Sequence, residues 1–352
     1  MTVYNSLRLF IARWTNFEYL PSTVANLPVV GFWLWYALRA RHLFFFSNVN
    51  PSIPLGGAFG ESKSAILRLL PAGIVPGWIL VQPDQPVADI LEELKETGIQ
   101  FPLIAKPDIG ERGFLVKKIN TPEELAAHLK RYPIPFILQE FLTLAHEGAV
   151  LFHRFPGADG HFDITSVCLK EFMRVRGDGK SSTRELMEKD IRYLFHIERF
   201  ERNHPDLLAT IPAPGEDFLL EPVGNHARGT KFVSGNHLAD YQMKQAFESH
   251  CRQIEGVYYG RFDLKYDSED ALRRGEFKVM ELNGITSDPA HIYDPRHGAI
   301  RAWRDFWRQW TIIYRLHRAL RKEGVRPTPI SEVWEFGQSY RQHLKVIQSM
   351  TV

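Results

Sequence analysis

This chain has little cysteine, no large excess of charge and no long hydrophobic run. Its two cysteines, Cys168 and Cys251, are too few for a disulfide framework or a thiolate metal site. A reducing compartment, the cytoplasm, is therefore the expected location. The net charge of +2 gives no indication of a nucleic-acid partner. No stretch of about 18 or more apolar residues occurs, so a membrane-spanning helix is not expected.

The sequence also lacks common signatures of hydrolytic sites. Its 14 histidines are scattered, and His-Glu-x-x-His does not occur. No Ser/His/Asp or Cys/His arrangement is recognisable, so a protein nucleophile is not indicated. The segment 177–186 contains Gly-Lys-Ser, but a P-loop would need glycine where Arg174 stands. We interpret this segment as a loop before a helix, capped by Ser182 with Glu185 as its partner.

The first 46 residues are rich in aromatic side chains, and their pattern predicts mostly helix. The most apolar run is Leu27–Leu38, which Arg39 and Arg41 follow. Aromatic residues next to cations are typical of helices that lie at a membrane surface. A buried helix covering the main domain is the simpler interpretation of residues 27–46. Peripheral membrane contact is the alternative.

The most informative stretch is Glu276–Asn283, which alternates as a β-strand does. The alternation predicts that Glu281 and Asn283 point the same way. Two apolar residues are expected to share that face: Phe277 and Val279. The opposite face would carry Lys278, Met280 and Leu282. Carboxylate and amide oxygens such as those of Glu281 and Asn283 are ligands that Mg²⁺ prefers.

A second alternating strand, Gly260–Tyr266, lies just upstream. Its polar face carries two cations and a carboxylate: Arg261, Asp263 and Lys265. The polar, glycine-containing run Asp267–Gly275 is suited to join the two strands as a hairpin. That hairpin would bring Asp263 and Arg261 next to Glu281 and Asn283. Three oxygen ligands and a fixed cation suit a metal-bound polyphosphate.

An earlier strand, Phe101–Lys106, ends in a lysine and is followed by a glycine loop. Such a loop can close over phosphates while its lysine neutralises their charge. Taken alone, Lys-Pro at a strand end is a common surface turn. Next comes Phe136–Leu142, an apolar strand that ends in polar residues, and Glu147 follows seven residues after Glu140.

The order of these motifs resembles that of the ATP-grasp superfamily, in particular D-alanine–D-alanine ligases and related carboxylate–amine ligases. The resemblance extends from about Gly60 to Pro289. It implies an α+β ATP-grasp fold, in which two α+β lobes clasp ATP, with helical N- and C-terminal extensions. The implied division begins with an aromatic-rich helical segment (1–59) and a first lobe (60–145). A second lobe with the metal site (146–297) and C-terminal helices (298–352) follow.

The resemblance also assigns residues to the nucleotide. The segment Gly60–Lys63 is similar to the one that contributes an early nucleotide-side lysine, which would be Lys63. Lys106 is similar to the phosphate-binding lysine, and Gly110 to Gly113 to the mobile glycine loop. The hinge that reads adenine, largely through backbone groups, resembles four consecutive residues: Gln139, Glu140, Phe141 and Leu142. Glu147 is similar to the acid that holds the ribose, and Lys170 is similar to a later phosphate-side lysine.

At the end of the fold, the resemblance implies three ligands of Mg²⁺: Asp263, Glu281 and Asn283. Two Mg²⁺ ions are implied, with Mn²⁺ as an alternative. Lys106 and Arg261 would offset the charge of the transferring phosphoryl group.

Two loops are candidates for substrate contact. Arg228 lies in the glycine-flanked, cation-rich loop 224–231 and could bind a carboxylate or phosphate, against the alternative of a solvated loop. The loop Gly284–Asp294 directly follows the metal strand. Its His291 is a candidate base, although a structural histidine is the simpler interpretation.

The implied activity is an ATP-dependent ligase that activates a carboxylate as an acylphosphate and joins it to an amine. A phosphotransferase acting on a small-molecule acceptor and a nucleotide-binding protein without turnover are the alternatives. The ligases usually carry a full α/β domain before the nucleotide-binding part, whereas about 60 aromatic-rich residues precede Lys63 here. A D-alanine substrate is therefore not assigned. The expected partners are a small-molecule carboxylate and amine, and the oligomeric state is left open.

Overall fold

A computed structural model of the protein describes three ranges of the chain: 3–110, 113–157 and 160–350. Two helices, α1 (Val3–Thr15) and α2 (Ser22–Ala40), come before the first sheet, together with the shorter α3 (Lys63–Leu69). The remainder is built on two antiparallel sheets with helices packed against them. The protein is thus of the α+β class, as the sequence predicts.

The first sheet consists of four short strands: β1 (Trp78–Val81), β2 (Leu103–Pro107), β3 (Lys117–Ile119) and β4 (Phe136–Glu140). Their spatial order is β1-β4-β2-β3, and every neighbouring pair is antiparallel. Two helices pack on it: α4 (Val87–Glu96) and α5 (Pro122–Arg131). The core beneath them includes Ile90 of α4, Leu125 of α5 and Phe136 of β4, all fully buried. This lobe places Lys106 at the end of β2.

The second sheet consists of longer strands: β5 (His146–Arg154), β6 (Phe162–Glu171), β9 (Lys231–Ser234), β10 (Tyr259–Tyr266) and β11 (Lys278–Asn283). Their order is β11-β10-β5-β6-β9, so β11 lies at an edge. The helix α10 (Tyr241–Cys251) packs on this sheet through Met243 and Phe247. Ile66 of α3 belongs to the same core, and so does Ile137 of β4, so α3 shares one core with strands of both sheets.

A small helical insertion separates β6 from β9. It holds a two-stranded ribbon and four short helices: β7 (Met173–Arg176), β8 (Asp217–Glu221), α6 (Thr183–Lys189), α7 (Ile191–Leu194), α8 (Ile197–Asn203) and α9 (Pro205–Ala209). The Ser182 hydroxyl accepts from the Glu185 backbone N–H at 3.3 Å, and the Glu185 carboxylate accepts from the Ser182 N–H at 2.7 Å. This capping box confirms that the Gly-Lys-Ser run is a loop before a helix.

The last helices are α11 (Glu269–Arg273), which lies within the β10–β11 connection, α12 (Ala299–Lys322) and α13 (Ile330–Ser349). Aromatic pairs join α2 to α12: the ring centroids of Tyr36 and Tyr314 are 4.9 Å apart, and those of Phe32 and Trp307 are 5.1 Å apart. The interpretation of residues 27–46 as a buried helix therefore holds for the face of α2 that packs on α12. No helix among the described residues is long and apolar enough to cross a membrane.

The β10–β11 hairpin forms as predicted, but its facing pattern differs from strict alternation. Asp263 is opposite Glu281, whereas the next residue, Leu264, is opposite Val279. Met280 is therefore the extra residue of a β-bulge, which reverses the pattern along β11. The prediction that Phe277 and Val279 share a face with Glu281 was wrong: both side chains lie in the core of the second sheet. Glu281 and Asn283 stay together on the polar face.

The end of β11 touches the segment before α3 along the backbone. The Ile285 N–H donates to the Gly56 carbonyl at 3.1 Å. A Cβ at Gly284 would lie 2.5 Å from that same oxygen and 2.6 Å from the Gly57 Cα. Only glycine at position 284 permits this approach, and it fixes where Asn283 ends the strand.

We predict that Gly284→Ala lowers the free energy of unfolding by about 1–3 kcal/mol, because the added methyl group must push two backbone segments apart. Urea unfolding monitored by tryptophan fluorescence measures the change. Gly337→Ala is the matched control, since a Cβ there meets nothing within 4 Å. The control should be neutral or slightly stabilising, because alanine favours a helix over glycine. Equal midpoints for the two variants would contradict the close-approach argument.

Candidate functional site

The polar face of the β10–β11 hairpin gathers four side chains. Arg261 is opposite Asn283 in the strand register, and Asp263 is opposite Glu281. The Arg261 guanidinium donates to both oxygens of Asp263, Nε to Oδ1 at 3.1 Å and Nη2 to Oδ2 at 3.2 Å. The Asn283 amide nitrogen also donates to Asp263 Oδ2, at 3.2 Å. The structure thus brings together the arginine and the three oxygen-bearing residues that the sequence predicted as neighbours.

The charges in this cluster stabilise one another. Burial alone would raise the pKa of Asp263, but the positive charges of Arg261 and Lys170 hold it below its usual range. Burial alone would lower the pKa of Arg261, but the Asp263 carboxylate raises it above its usual value. Both groups are therefore ionised near neutral pH. Glu281 is the more open carboxylate, with 36% of its side chain exposed.

Two lysines reach this cluster from the opposite side, and the region between these lysines and the hairpin cluster is called the cleft below. Lys63, the first residue of α3, has its Nζ 3.6 Å from Glu281 Oε1 and also donates to the Gly110 carbonyl. Lys106, on β2, donates to the Met280 carbonyl at 2.9 Å. Met280 is the bulge residue of β11, whose backbone is out of the regular ladder. The two lysines therefore contact the strand that carries Glu281 and Asn283.

Lys106 is a desolvated cation. Burial lowers the pKa of its ammonium group to about 8; the carboxylate of Glu281 acts to raise it, and the charge of Lys63 to lower it. Its second acceptor is the side-chain oxygen of Gln139 at 3.0 Å. The Gln139 amide nitrogen is buried and has no hydrogen-bond partner among the described residues. A buried donor without a partner next to a desolvated cation is suited to an anionic or acceptor-rich ligand.

The glycine loop after Lys106 is tied to the start of α3. The carboxylate of Asp108 accepts from the Ser62 hydroxyl and from the Ser64 backbone N–H, both at 2.8 Å. The Lys63 N–H donates to the Asp108 carbonyl at 2.9 Å. This link positions Lys63 beside the loop, and the sequence analysis missed Asp108. Within the loop, Gly113 has φ of 72°, while Glu111 and Arg112 lie outside the described residues.

The predicted adenine hinge is the connection between the two sheets. Gln139 and Glu140 end β4, and the backbone N–H of Glu140 donates to the Gly77 carbonyl at 2.9 Å. Phe141 and Leu142 are in neither helix nor strand and lead towards β5. The Lys118 ammonium lies 4.1 Å from the centroid of the Phe141 ring. The side chain of Gln139, rather than its backbone alone, faces Lys106, which the sequence did not indicate.

Glu147 and Lys170 form a buried ion pair on the adjacent strands β5 and β6, with 2.6 Å between Oε1 and Nζ. Burial alone would lower the pKa of Lys170, but the carboxylates of Asp263 and Glu147 raise it above its usual value. Gly224 lies directly over Glu147, so close that a Cβ there would clash with the carboxylate. The pair is next to the Arg261–Asp263 cluster, and the ribose and phosphate roles of its members stay predictions.

Arg228 lies apart from the hairpin cluster. It ends a single turn, His226–Arg228, and its Nη1 is 3.8 Å from Glu221 Oε1. Its carbonyl accepts from Arg199 Nη2 at 2.8 Å. Among the described residues these contacts belong to the helical insertion, so a substrate role for Arg228 is still a prediction.

The loop after β11 contributes two groups beside Arg261. The Asp288 carbonyl accepts from Arg261 Nη1 at 3.3 Å, and the Asp288 carboxylate accepts from the Tyr293 hydroxyl at 2.7 Å. Burial raises the pKa of Asp288 above its usual range. The only sequence signal for these residues was their position directly after β11, the strand predicted to hold a metal.

His291 points away from that cluster. Its Nδ1 is 2.8 Å from Ser166 Oγ, and its Nε2 is 3.2 Å from Asp305 Oδ2. His297 Nε2 is 2.8 Å from the same oxygen. Both ring nitrogens of His291 are thus within hydrogen-bond distance of protein groups, which supports the structural interpretation of His291 over that of a base.

A further contact, which the sequence did not indicate, links the N-terminal helices to the site. Glu18, between α1 and α2, is buried and accepts from Arg192, and its carboxylate is 3.4 Å from His226 Nε2. The His226 ring lies 5.2 Å from that of Tyr293. Glu18 thereby connects the N-terminal segment to the loop beside Arg261.

No family model and no curated protein match this chain, whereas several solved structures do. A D-Ala:D-Ser ligase from Enterococcus faecalis is 15% identical with a TM-score of 0.42, over 73% of this chain and 61% of that one. A D-alanine–D-alanine ligase from Bacillus anthracis complexed with ATP is 14% identical with a TM-score of 0.41, over 75% and 68%. A bifunctional glutathione synthetase from Pasteurella multocida is 15% identical with a TM-score of 0.39, over 70% and 35%.

D-Alanine–D-alanine ligases, which the motif order resembles, are thus among the similar solved structures. The mixed architecture with helical N- and C-terminal segments agrees with the predicted class. The chain spans less than two thirds of the first of these ligases. At these identities and TM-scores the likeness concerns part of the fold and assigns no activity.

We predict that Glu147→Gln lowers the free energy of unfolding by about 3 kcal/mol, because it leaves Lys170 buried without its nearest carboxylate. The double variant Glu147→Gln/Lys170→Met should recover part of that loss. Chemical unfolding of Glu147→Gln, of Lys170→Met and of the double variant measures the coupling. Glu171→Gln is the control, because it breaks an exposed ion pair on neighbouring positions, in which Lys231 Nζ is 2.7 Å from Glu171 Oε2. Its loss of unfolding free energy should be under about 1 kcal/mol. Strictly additive losses for Glu147 and Lys170 would show that the pair is not coupled.

Proposed function

We propose that this protein is an ATP-dependent ligase that activates a carboxylate and joins it to an amine. The observation that carries the proposal is the contact between the two lobes at β11. Lys63 and Lys106 come from the first-lobe side, while Glu281 and the Arg261–Asp263 pair come from the second. Cations and oxygen ligands facing each other across a cleft suit a polyphosphate with its metal ion.

The nucleotide would take the groups that the cleft leaves available. The Gln139 amide nitrogen supplies an unpartnered buried donor, and the ammonium groups of Lys106 and Lys63 supply positive charge. The hinge from Glu140 to Leu142, at the junction of the two sheets, would hold the base. Each of these groups lies between Gly60 and Pro289, the range over which the order of motifs resembles that of the ATP-grasp superfamily.

The donor set fits a hard divalent cation. The carboxyl group of Asp263 is held ionised, the Glu281 side chain is 36% exposed, and Asn283 adds an amide oxygen. These three residues would hold Mg²⁺, which when bound neutralises charge on the phosphate oxygens.

The chemistry then needs positioning and charge rather than a protein nucleophile. An oxygen of the substrate carboxylate attacks the γ-phosphorus of ATP; the bond to the β–γ bridging oxygen breaks, and an acylphosphate and ADP form. The nitrogen of the amine attacks the acyl carbon, phosphate leaves with the transferred oxygen, and the nitrogen loses a proton. Arg261, fixed by Asp263 and the Asp288 carbonyl, and Lys106 stabilise the charge on the transferring group.

The direct test is release of ADP in the presence of Mg²⁺ from panels of amino acids and hydroxy acids, alone and paired with amines. We expect release that requires an acid, and formation of a hydroxamate when hydroxylamine replaces the amine. ADP release with a hydroxyl acceptor and no hydroxamate would instead identify a phosphotransferase. Nucleotide binding without ADP release from any acid would contradict the ligase proposal.

We predict that Glu281→Gln lowers Mg²⁺-dependent turnover by roughly 100-fold or more, because a charged oxygen ligand is lost where charge develops. Circular dichroism and thermal unfolding should be unchanged, since the Glu281 side chain is partly exposed. Glu276→Gln is the matched control on the same hairpin, where the carboxylate pairs with Arg274. Wild-type turnover in Glu281→Gln would remove this residue from the metal site.

We predict that nucleotide affinity falls as the pH rises above about 8. The pKa of Lys106 is about 8 in the free protein, so at higher pH binding a polyanion must first return a proton to the lysine. The loss should approach tenfold per pH unit, and binding should take up a proton. Calorimetric titration in buffers of different ionisation enthalpy measures both quantities.

Lys106→Arg provides the control, because guanidinium stays charged over this range and the slope should disappear. The same slope in wild type and Lys106→Arg would assign the pH dependence to another group.

A further inference from the structure

The helix α1 carries a stripe of apolar side chains that face solvent. Tyr4, Leu7, Ile11 and Trp14 recur at intervals of three and four residues, which places them on one face of the helix. Each has at least half of its surface exposed. The opposite side packs on the protein, where Ala12 is buried and Leu9 contacts the core of the helical insertion. The apolar stripe is therefore the outer face of a docked helix.

The helix α2 repeats this arrangement. Leu27, Leu34 and Leu38 recur every seven and four residues, and 72% of Leu27 and 76% of Leu38 are exposed. The inner face of α2 is already used, since Tyr36 and Ala37 are buried in the core shared with α12. Scattered exposed apolar residues are normal, but two helices with continuous outer stripes indicate a surface that is covered in use.

The N-terminal helices themselves carry surface charge of one sign. Residues 1–60 contain four arginines and a single acid, Glu18. Glu18 is buried and is paired with Arg192 and His226, so it adds no negative charge to the outer surface. Arg13, Arg39 and Arg41 are exposed. An apolar surface whose own helices add only cations complements the anionic headgroups and acyl chains of a lipid bilayer.

Tryptophans adjoin these cations. Trp14 follows Arg13, and the Arg39 guanidinium lies 5.8 Å from the centroid of the Trp35 ring. Trp14 and Trp35 are each about half exposed. Tryptophan favours the boundary between headgroups and acyl chains, and long cationic side chains reach back to the headgroups. Two copies of this surface meeting face to face would instead bring like-charged arginines together.

We propose that the outer faces of α1 and α2 form a docking surface for an anionic lipid bilayer, on which both helices lie in the plane of the interface. A spanning arrangement is not involved, since within the described ranges no helix meets the length and apolarity that a membrane span needs. The surface is tied to the loop beside Arg261 through the Glu18–His226 contact and the ring contact between His226 and Tyr293. Docking would therefore hold the cleft near the bilayer. The proposal stands independently of the reaction that the cleft performs.

The test is flotation of the purified full chain with vesicles of phosphatidylcholine and phosphatidylglycerol, compared with vesicles of phosphatidylcholine alone. We expect binding to the anionic vesicles, weaker binding to the neutral ones, and loss of the difference at high salt. Leu27→Ser/Leu38→Ser and Leu7→Ser/Trp14→Ser should each lower the partition coefficient by about tenfold or more, since each removes two inserted apolar side chains. All four positions are exposed, so the fold should survive, and thermal unfolding checks this.

Ile211→Ser is the control, because Ile211 is a comparably exposed apolar residue outside the two helices. It should float like the wild type. Absence of wild-type flotation with anionic vesicles would overturn the proposal. Equal flotation of the wild type and both double variants would overturn it as well. A dimer in sedimentation velocity that the double variants dissociate, without vesicle binding, would assign the surface to a second copy of the chain.

Discussion

The β-bulge at Met280 is the constraint on which the arrangement of the site depends. By inserting one residue opposite the Asp263–Leu264 step, it lets Val279 enter the core while Glu281 and Asn283 keep the polar face. The same residue presents its carbonyl to Lys106 of the other lobe. One irregularity in an edge strand therefore keeps Glu281 and Asn283 opposite Asp263 and Arg261, and it also joins the two halves of the cleft.

Among the described residues, the buried ions of the cleft are paired with opposite charges, with one exception. Arg261 and Asp263 neutralise each other, Lys170 lies between the carboxylates of Asp263 and Glu147, and Lys63 faces Glu281. Lys106 is the exception, because its nearest acceptors are a carbonyl and an amide oxygen, and burial lowers its pKa. A cation that is desolvated and only partly compensated is stabilised when an anion arrives. This imbalance is the physical basis for placing a polyphosphate there.

The N-terminal helices and the cleft belong to one connected structure. The inner faces of α1 and α2 pack on the helical insertion and on α12, and Glu18 reaches from between them to His226. The outer faces keep apolar side chains and arginines exposed. Burying two apolar side chains per helix on a lipid surface offers a stabilisation that the isolated chain leaves unused.

Much of the site could be predicted from the sequence, because alternation and spacing act locally. The pairing of the strands around Asp263 and Glu281, the capped start of α6 and the lysine at the end of β2 all follow from patterns within short, continuous stretches of the chain. The bulge could not be predicted, since it depends on which side chains the finished core accepts at Val279. Nor could the contacts of Lys106 with Met280, Asp108 with α3, or Glu18 with His226, which join distant parts of the chain. The sequence by itself determined which polar groups the strands carry; the tertiary structure decided which of them meet, because only packing sets register, burial and charge balance.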